Sequence, residues 1–321
     1  MMQIFDAEAT RRALPFERLV PALRAMFAAE VTVPQRQLHT IDGPGASVLS
    51  SLIMPAWQAG RCYGVKIVNV APGNAALGLP GLHASYLLHD ARTGAPLALI
   101  DGGELTARRT VAASALAASW LARADARHLL VVGAGRLARL LPAAYRSVRP
   151  IDRVSVWARD PAAAARLCDE LGRDGFDARP VERLDAAVSA ADIVSCATLA
   201  SEPLVQGRWL RPGSHLDLIG SFSPAMREAD DDCFLDARIY VDTDEALAES
   251  GDLLGPMSRG VFSAADVAGT LAALCRGEAV GRGSEVQRTV FKSVGTALED
   301  LAAAMLVSAG TATTAAPGGA A

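Results

Sequence analysis

The strongest constraint on this chain lies near its middle, where Leu129 to Ala138 reads LLVVGAGRLA. An apolar run enters Gly133, Gly135 and Ala138 and a helical pattern follows, the pattern of a strand, a glycine turn and a helix that close on a dinucleotide. Gly133 permits the tight turn, Gly135 lets the backbone approach a pyrophosphate, and Ala138 is small enough for the helix to lie close on the strand. Strand-like and helix-like segments then alternate as LLVVGAG, RLARLLPAAYRSV, VSVWARD and PAAAARLCDELG, with further strands expected at DIVSCAT, HLDLIG and RIYVDT. That alternation predicts an α/β fold with a doubly wound parallel sheet over about residues 121–288. The 128 residues ahead of the turn need a fold of their own.

That first section has a different rhythm. Asp6 is placed to cap a helix over Ala7 to Ala13, and Phe16 to Ala29 carries Leu19, Leu23, Met26 and Phe27 at helical spacing. From Val33 to Leu99 short β-prone runs (SVLSSLIM, YGVKIVNV, ASYLLHD, PLALI) are separated by turn clusters such as IDGPGA, APGN and ARTGAP, which predicts a meander-like sheet. Leu105 to Arg123 reads as a long connecting helix entered through Asp101, Gly102 and Gly103. A last amphipathic helix is expected over about Glu285 to Val307, with Val290, Phe291, Val294, Leu298, Leu301 and Met305 near one face. Residues 311–321, close to the end of SAGTATTAAPGGAA, are expected to form a flexible tail.

Composition removes several function classes. A formal charge of -4, with 31 scattered Lys and Arg, offers no basic field for nucleic acid. No apolar stretch approaches the roughly 20 residues that span a bilayer, so no membrane association is expected. The N-terminal MMQIFDAEATRR has neither a basic region nor an apolar core of signal-peptide type. Cys62, Cys168, Cys196, Cys233 and Cys275 are dispersed, with no CxxC and no His at ligand spacing. They read as reduced thiols of a cytoplasmic protein without a metal site.

Candidate site residues follow from position. Gly133, Gly135, Arg136 and Leu137 belong to the turn and the helix start. Thr198 and Ser221 follow later strands at the carboxyl edge, where ligands of parallel sheets collect. Ala158 and Arg159 end the second strand, beside the expected adenosine ribose. A carboxylate there would serve NAD, whereas Arg attracts a 2′-phosphate, so NADPH is the expected cofactor and NADH the second choice. Asp160, ahead of Pro161, reads as a helix cap, although a slip of one residue would bring its carboxylate into the pocket. Arg109 and Thr110 in the connecting helix are further candidate cofactor contacts. Lys66 stands out because Val65, Ile67 and Val68 imply burial, and a buried Lys needs a partner or a task. His83, in a strand after Gly81 and Leu82, is ordinarily a structural residue but titrates in the range of a proton relay. Glu249 and Asp252 read as a helix end and a turn.

Taken in order, PQR, MPA, GVK, PGN and TARRT, with LLVVGAG, SCATLASEPL, HLDLIGSFSPAMRE, ALAESGDLL and FKSVGTALEDLAAAMLV, resemble the ornithine cyclodeaminase and mu-crystallin family over almost the whole chain. The resemblance implies a Rossmann NAD(P)-binding domain (121–288) inserted into an α+β substrate and dimerisation domain (1–120 plus 289–310), and a homodimer. It also implies that Arg36, Lys66 and Arg109 hold a substrate carboxylate. Ornithine cyclodeaminases carry an acidic residue where this chain has Phe222, and a phenyl ring can neither accept a proton nor pair with an ammonium. The strings GSFSPAMRE and SCATLASEPL are more similar to the ketimine reductase branch. The implied activity is reduction of a small cyclic imino acid, Δ1-pyrroline-2-carboxylate to L-proline or Δ1-piperideine-2-carboxylate to L-pipecolate. Lys66 is the candidate catalytic proton donor and His83 a candidate substrate contact. The same scaffold also admits a cyclodeaminase, an amino-acid dehydrogenase, or a non-catalytic protein that binds NADPH and a small carboxylate.

Overall fold

The computed structural model describes residues 2–43 and 48–312. Chain contacts divide it into two units, one running to Arg109 and resuming at Thr296, the other comprising Thr110–Gly295. The boundaries expected from sequence, 120/121 and 288/289, lie inside a helix and a strand respectively.

The first unit begins with β1 (Gln3–Phe5), α1 (Ala7–Ala13) and α2 (Phe16–Ala28). Asp6 caps α1 by accepting from the Ala9 N–H at 2.8 Å. On α2, Phe16, Leu19, Val20, Leu23, Met26 and Phe27 are buried, the i, i+3, i+4, i+7 stripe of a helix with one face in a core. Strands β2 (Gln37–Asp42), β3 (Val48–Gln58), β4 (Cys62–Val70), β5 (Leu82–Asp90) and β6 (Pro96–Asp101) then form the meander. They pair antiparallel in sequence order, and β1 adds parallel to β6, giving the order β1-β6-β5-β4-β3-β2. β2 carries no buried residue and was not separated from its surroundings by the sequence pattern. Part of the expected IDGPGA turn lies outside the described residues.

Helix α3 (Gly102–Leu121) begins three residues before the expected start, where the Asp101 carboxylate accepts from the Glu104 N–H at 2.7 Å. The chain passes from the first unit to the second along this helix. The second unit contains β7 (His128–Val132), α4 (Arg136–Arg146), β8 (Arg153–Trp157), α5 (Pro161–Arg173), β9 (Asp177–Pro180), α6 (Leu184–Ala190), β10 (Ile193–Cys196) and β11 (His215–Leu218). It continues with β12 (Ala237–Val241), α7 (Ala246–Glu249), α8 (Gly251–Ser258), β13 (Val267–Thr270), α9 (Leu271–Arg276) and β14 (Arg288–Lys292). The eight strands are parallel in the order β13-β12-β14-β11-β10-β7-β8-β9, so the winding reverses between β7 and β10. Such a reversal opens a crevice at the carboxyl ends of the strands.

One expected element is overturned. Glu285 to Val307 is not a single helix: Arg288–Lys292 is β14, buried between β11 and β12, and α10 (Ala297–Ala312) starts after Gly295, whose φ is 80°. The apolar residues Val290, Phe291, Val294, Leu298 and Leu301 mimic helical spacing across the break, while Thr289 and Val290 favour the strand. α10 packs against α2 and over β3, β4 and β5. The helix includes residues 311 and 312, and the rest of the expected tail, 313–321, lies outside the described residues.

Candidate functional site

In the first unit the chemistry concentrates on one face of the meander. The register places Met54, Lys66, Tyr86 and Ile100 side by side across β3, β4, β5 and β6, and all four are buried. Arg36 stands one residue before the first β2–β3 pair, Gln37 with Ile53, so the ladder extended by one residue carries it to the level of Met54 in the same row. Arg36 itself is half-buried.

Lys66, 1% exposed, points its Nζ at Asp300 Oδ2, 2.6 Å away in the first turn of α10. Arg109 on α3 donates from Nε to Asp300 Oδ1 at 2.8 Å and from Nη1 to Glu299 Oε2 at 2.7 Å. Two cations and two carboxylates thus form one buried cluster, with both acids in the helix turn where negative charge is favoured. Burial pulls the Lys66 ammonium down to about 8, against the pull of Asp300 in the other direction, and nearby Arg109 adds to the lowering. Burial would raise Asp300, but Arg109 and Lys66 overcome it and hold the carboxyl below its ordinary value. A lysine poised at about 8 beside a fixed carboxylate is a competent acid near neutral pH.

His83 does not join this group. On β5 it pairs with Asn69 of β4, and strand alternation sets both on the face opposite Lys66 and Tyr86, where His83 is exposed. Arg109, also a candidate cofactor contact, is engaged by the carboxylates of α10. Thr110 follows it, half-buried, as the first residue of the second unit.

In the second unit, a cleft of about 300 Å³ lies where the sheet order reverses. Gly133, Ala134 and Gly135 from the β7 turn, Trp157, Ala158 and Arg159 from the end of β8, and Ala197 to Ala200 after β10 line it. Gly133 has φ 121° and donates its N–H to the Trp157 carbonyl at 2.8 Å, and a Cβ there would stand 2.7 Å from the Ala197 carbonyl oxygen. Where Gly135 would carry a Cβ there is nothing within 4 Å, and this residue opens α4. Open space at the N-terminus of a helix, the end at which backbone N–H groups point outward, is a cradle for a phosphate. The residues present therefore fit a dinucleotide.

Asp160 does not slip into the cleft. Its carboxylate accepts from the Ala162 N–H at 3.0 Å as the cap of α5, leaving the exposed Arg159 as the charged residue of the β8 end. Thr198 and Ser221 sit at strand ends as expected, but their hydroxyls turn inward. Thr198 Oγ1 donates to Glu228 at 2.7 Å, and Ser221 Oγ donates to the Met226 carbonyl at 2.6 Å. Ser221 is buried, so it offers no hydroxyl to a ligand. Phe222, next in sequence, is 55% exposed.

Sequence reasoning missed the carboxylates. Glu299 and Asp300 are adjacent acids in the apolar run ALEDLAAA, and Asp217 is a lone acid in HLDLIG. Such residues demand burial partners, which was the available signal. Asp217 accepts from Ser114 at 3.0 Å, Tyr145 at 2.8 Å and Ser195 at 2.5 Å, and burial raises its carboxyl to about 6. Asp252 is likewise fully buried and accepts from the Glu228 N–H at 2.8 Å, more than a turn residue would do.

Residues 32–313 match the model of the ornithine cyclodeaminase/mu-crystallin family. A Δ1-pyrroline-2-carboxylate reductase of Paracoccus denitrificans is 45% identical over 273 residues, covering 84% of this chain and 86% of that protein. Among solved structures, Thermococcus litoralis Δ1-pyrroline-2-carboxylate reductase in complex with NADH and L-proline is similar with a TM-score of 0.90, 32% identity and 98% of each chain covered. An archaeal alanine dehydrogenase dimer with bound NAD is similar with a TM-score of 0.88 and 28% identity, over 98% of this chain and 97% of that one.

The two turn glycines separate by measurement. Gly133→Ala should cost about 1–3 kcal/mol of stability in chemical denaturation, because it adds both positive-φ strain and a clash. Gly135→Ala should stay within about 1 kcal/mol and instead weaken dinucleotide binding by fluorescence titration. Equal stability losses would show that the cradle at Gly135 is not open.

Proposed function

Because the chain belongs to the ornithine cyclodeaminase/mu-crystallin family, we propose that it reduces cyclic ketimine carboxylates with NAD(P)H, taking Δ1-pyrroline-2-carboxylate to L-proline and Δ1-piperideine-2-carboxylate to L-pipecolate. The observation that carries this reading is the buried Lys66 held against Asp300. Imine reduction adds one hydride equivalent to carbon and one proton to nitrogen, and a bound nicotinamide dinucleotide supplies the hydride. The protein's share is to grip the carboxylate, fix one face of the ring and deliver the proton.

In this reading Arg36 and Arg109 hold the substrate carboxylate. The Arg109 guanidinium has five N–H donors and commits Nε and Nη1 to α10, so donors remain for the ligand. Lys66, drawn down to about 8 by burial, is protonated at neutral pH and gives its proton to the imine nitrogen. Asp300 steadies the amine and favours its recharging from water. Phe222, uncharged where cyclodeaminases carry an acid, favours reduction over deamination.

Arg159 at the cleft, with Asp160 turned away to cap α5, supports a preference for NADPH over NADH. A homodimer is supported by the exposed apolar side chains of the edge strand and its neighbour, Leu38 at 65%, Ile41 at 50% and Val48 at 47% exposed. Light scattering should give twice the chain mass, and a monomer at micromolar concentration would remove this point.

The decisive experiment follows NADPH and NADH oxidation with the five- and six-membered imines, with L-ornithine plus NAD+ as control. Ammonia and proline from ornithine without imine reduction would overturn the reading. Lys66→Met should lower kcat by roughly 10²–10⁴. Since the protonated amine is the active form, kcat/KM should fall as pH rises through about 8. Asp300→Asn removes a carboxylate that raises Lys66, so it should move that fall to lower pH. Arg159→Ala should weaken NADPH by about tenfold, the value of one charge-assisted hydrogen bond, and leave NADH nearly unchanged. Equal loss for both cofactors would refute the phosphate contact.

A further inference from the structure

Glu228 is fully buried in the segment after β11, yet its carboxylate serves two strand ends at once. Oε1 accepts from the Thr198 N–H and from Thr198 Oγ1, each at 2.7 Å, and Oε2 accepts from the Gly220 N–H at 2.7 Å. Thr198 follows β10 and lines the dinucleotide cleft, and Gly220 follows β11, the neighbouring strand.

The main chain of Glu228 is itself fixed. Its N–H donates to Asp252 Oδ1 at 2.8 Å, and its carbonyl accepts from Leu204 at 2.8 Å and Val205 at 3.0 Å. Three donors converge on two oxygens away from water. An ionised carboxylate accepts from all three, whereas a protonated acid has to reverse the Thr198 hydroxyl bond by donating to Oγ1, and an amide would turn its NH2 toward a backbone N–H.

Adenosine belongs at the β8 end and the pyrophosphate at the β7 turn, so the nicotinamide half of the cofactor is left to the β10 and β11 ends. We propose that Glu228 is a positioning residue for the dinucleotide: its carboxylate holds the loops at Thr198 and Gly220 in the arrangement that seats the nicotinamide half. This rests on the dinucleotide reading of the cleft.

The groups facing Glu228 set its charge. Burial raises its carboxyl to about 7. Lys292 on β14 opposes the rise, Asp252 at the start of α8 adds to it, and the donors of Thr198 oppose it. The Cys196 thiol on β10 is itself pushed far up by burial and stays neutral. The ionised form therefore prevails above about 7 and is lost as pH falls, and cofactor affinity falls with it.

The test is equilibrium binding of NADH, without substrate, from about pH 5.5 to 8.5. NADH lacks the 2′-phosphate, whose own titration near pH 6 would intrude. In the wild type Kd should rise toward tenfold one pH unit below the midpoint. Glu228→Gln should bind about tenfold more weakly at pH 8, with the acid limb flattened and kcat at saturating cofactor largely kept. Thr198→Val deletes one donor to the carboxylate and should move the midpoint to higher pH, which tests the inference even if Glu228→Gln does not fold. A Glu228→Gln protein with wild-type Kd and pH profile, or an unmoved midpoint in Thr198→Val, overturns the inference alone. Failure of the wild type to bind NADH or NADPH at any pH overturns the dinucleotide reading and this inference together.

Discussion

The ion cluster of Lys66, Arg109, Glu299 and Asp300 decides how the first unit holds together. The chain leaves that unit at Arg109 and returns at Thr296, with the whole second unit between. The residue at the exit and the acids just after the return are bonded directly to each other. Removing either side would strand a charge in the core, a cost of about 3–5 kcal/mol for a buried pair. Charge burial therefore fixes α10 on the sheet more selectively than its Ala-rich surface could. The same requirement brings Lys66 to a proton affinity suited to chemistry.

The second unit solves the converse problem. Asp217, Glu228, Asp242 and Asp252 are all buried there, and Lys292 is the one lysine buried among the described residues of the unit. Neutral donors do most of the holding: hydroxyls for Asp217, backbone N–H groups for Asp242 and Asp252, both kinds for Glu228. Neutral partners stabilise an anion less than a cation does, so desolvation prevails and several of these acids titrate upward, Asp242 to about 6. The first unit balances charge with charge. The second leaves Asp217, Glu228 and Asp242 within reach of physiological pH.

Much of the architecture was legible in the sequence because hydrophobic period and turn chemistry are local signals. The meander, the parallel sheet, the glycine turn and the Asp160 cap follow from residues within a few positions of one another. Lys66 was legible too, because a charge among β-branched neighbours is conspicuous. Long-range information was not. β14 lies between β11 and β12, a placement that no local window contains, and apolar residues on both sides of Gly295 imitate a single helix. His83 was misplaced because a strand's inner face is fixed by register, and Tyr86 rather than His83 shares parity with Lys66's partners. The roles of Glu299 and Asp300 became visible only when β4, α3 and α10 were brought together.

The break in the first unit has a consequence for how such a chain diverges. The crossings between the units are only two, after Arg109 and before Thr296, and ion pairs within the first unit clasp both sides of that gap. Everything between behaves as a cassette with its own sheet and core. In the proposed reading, changes at Ala158 or Arg159 would retune the choice of coenzyme without touching Lys66. Changes near Lys66 would, in the same reading, alter the acceptor without rebuilding the second unit. Two specificities carried by one polypeptide can then drift at separate rates.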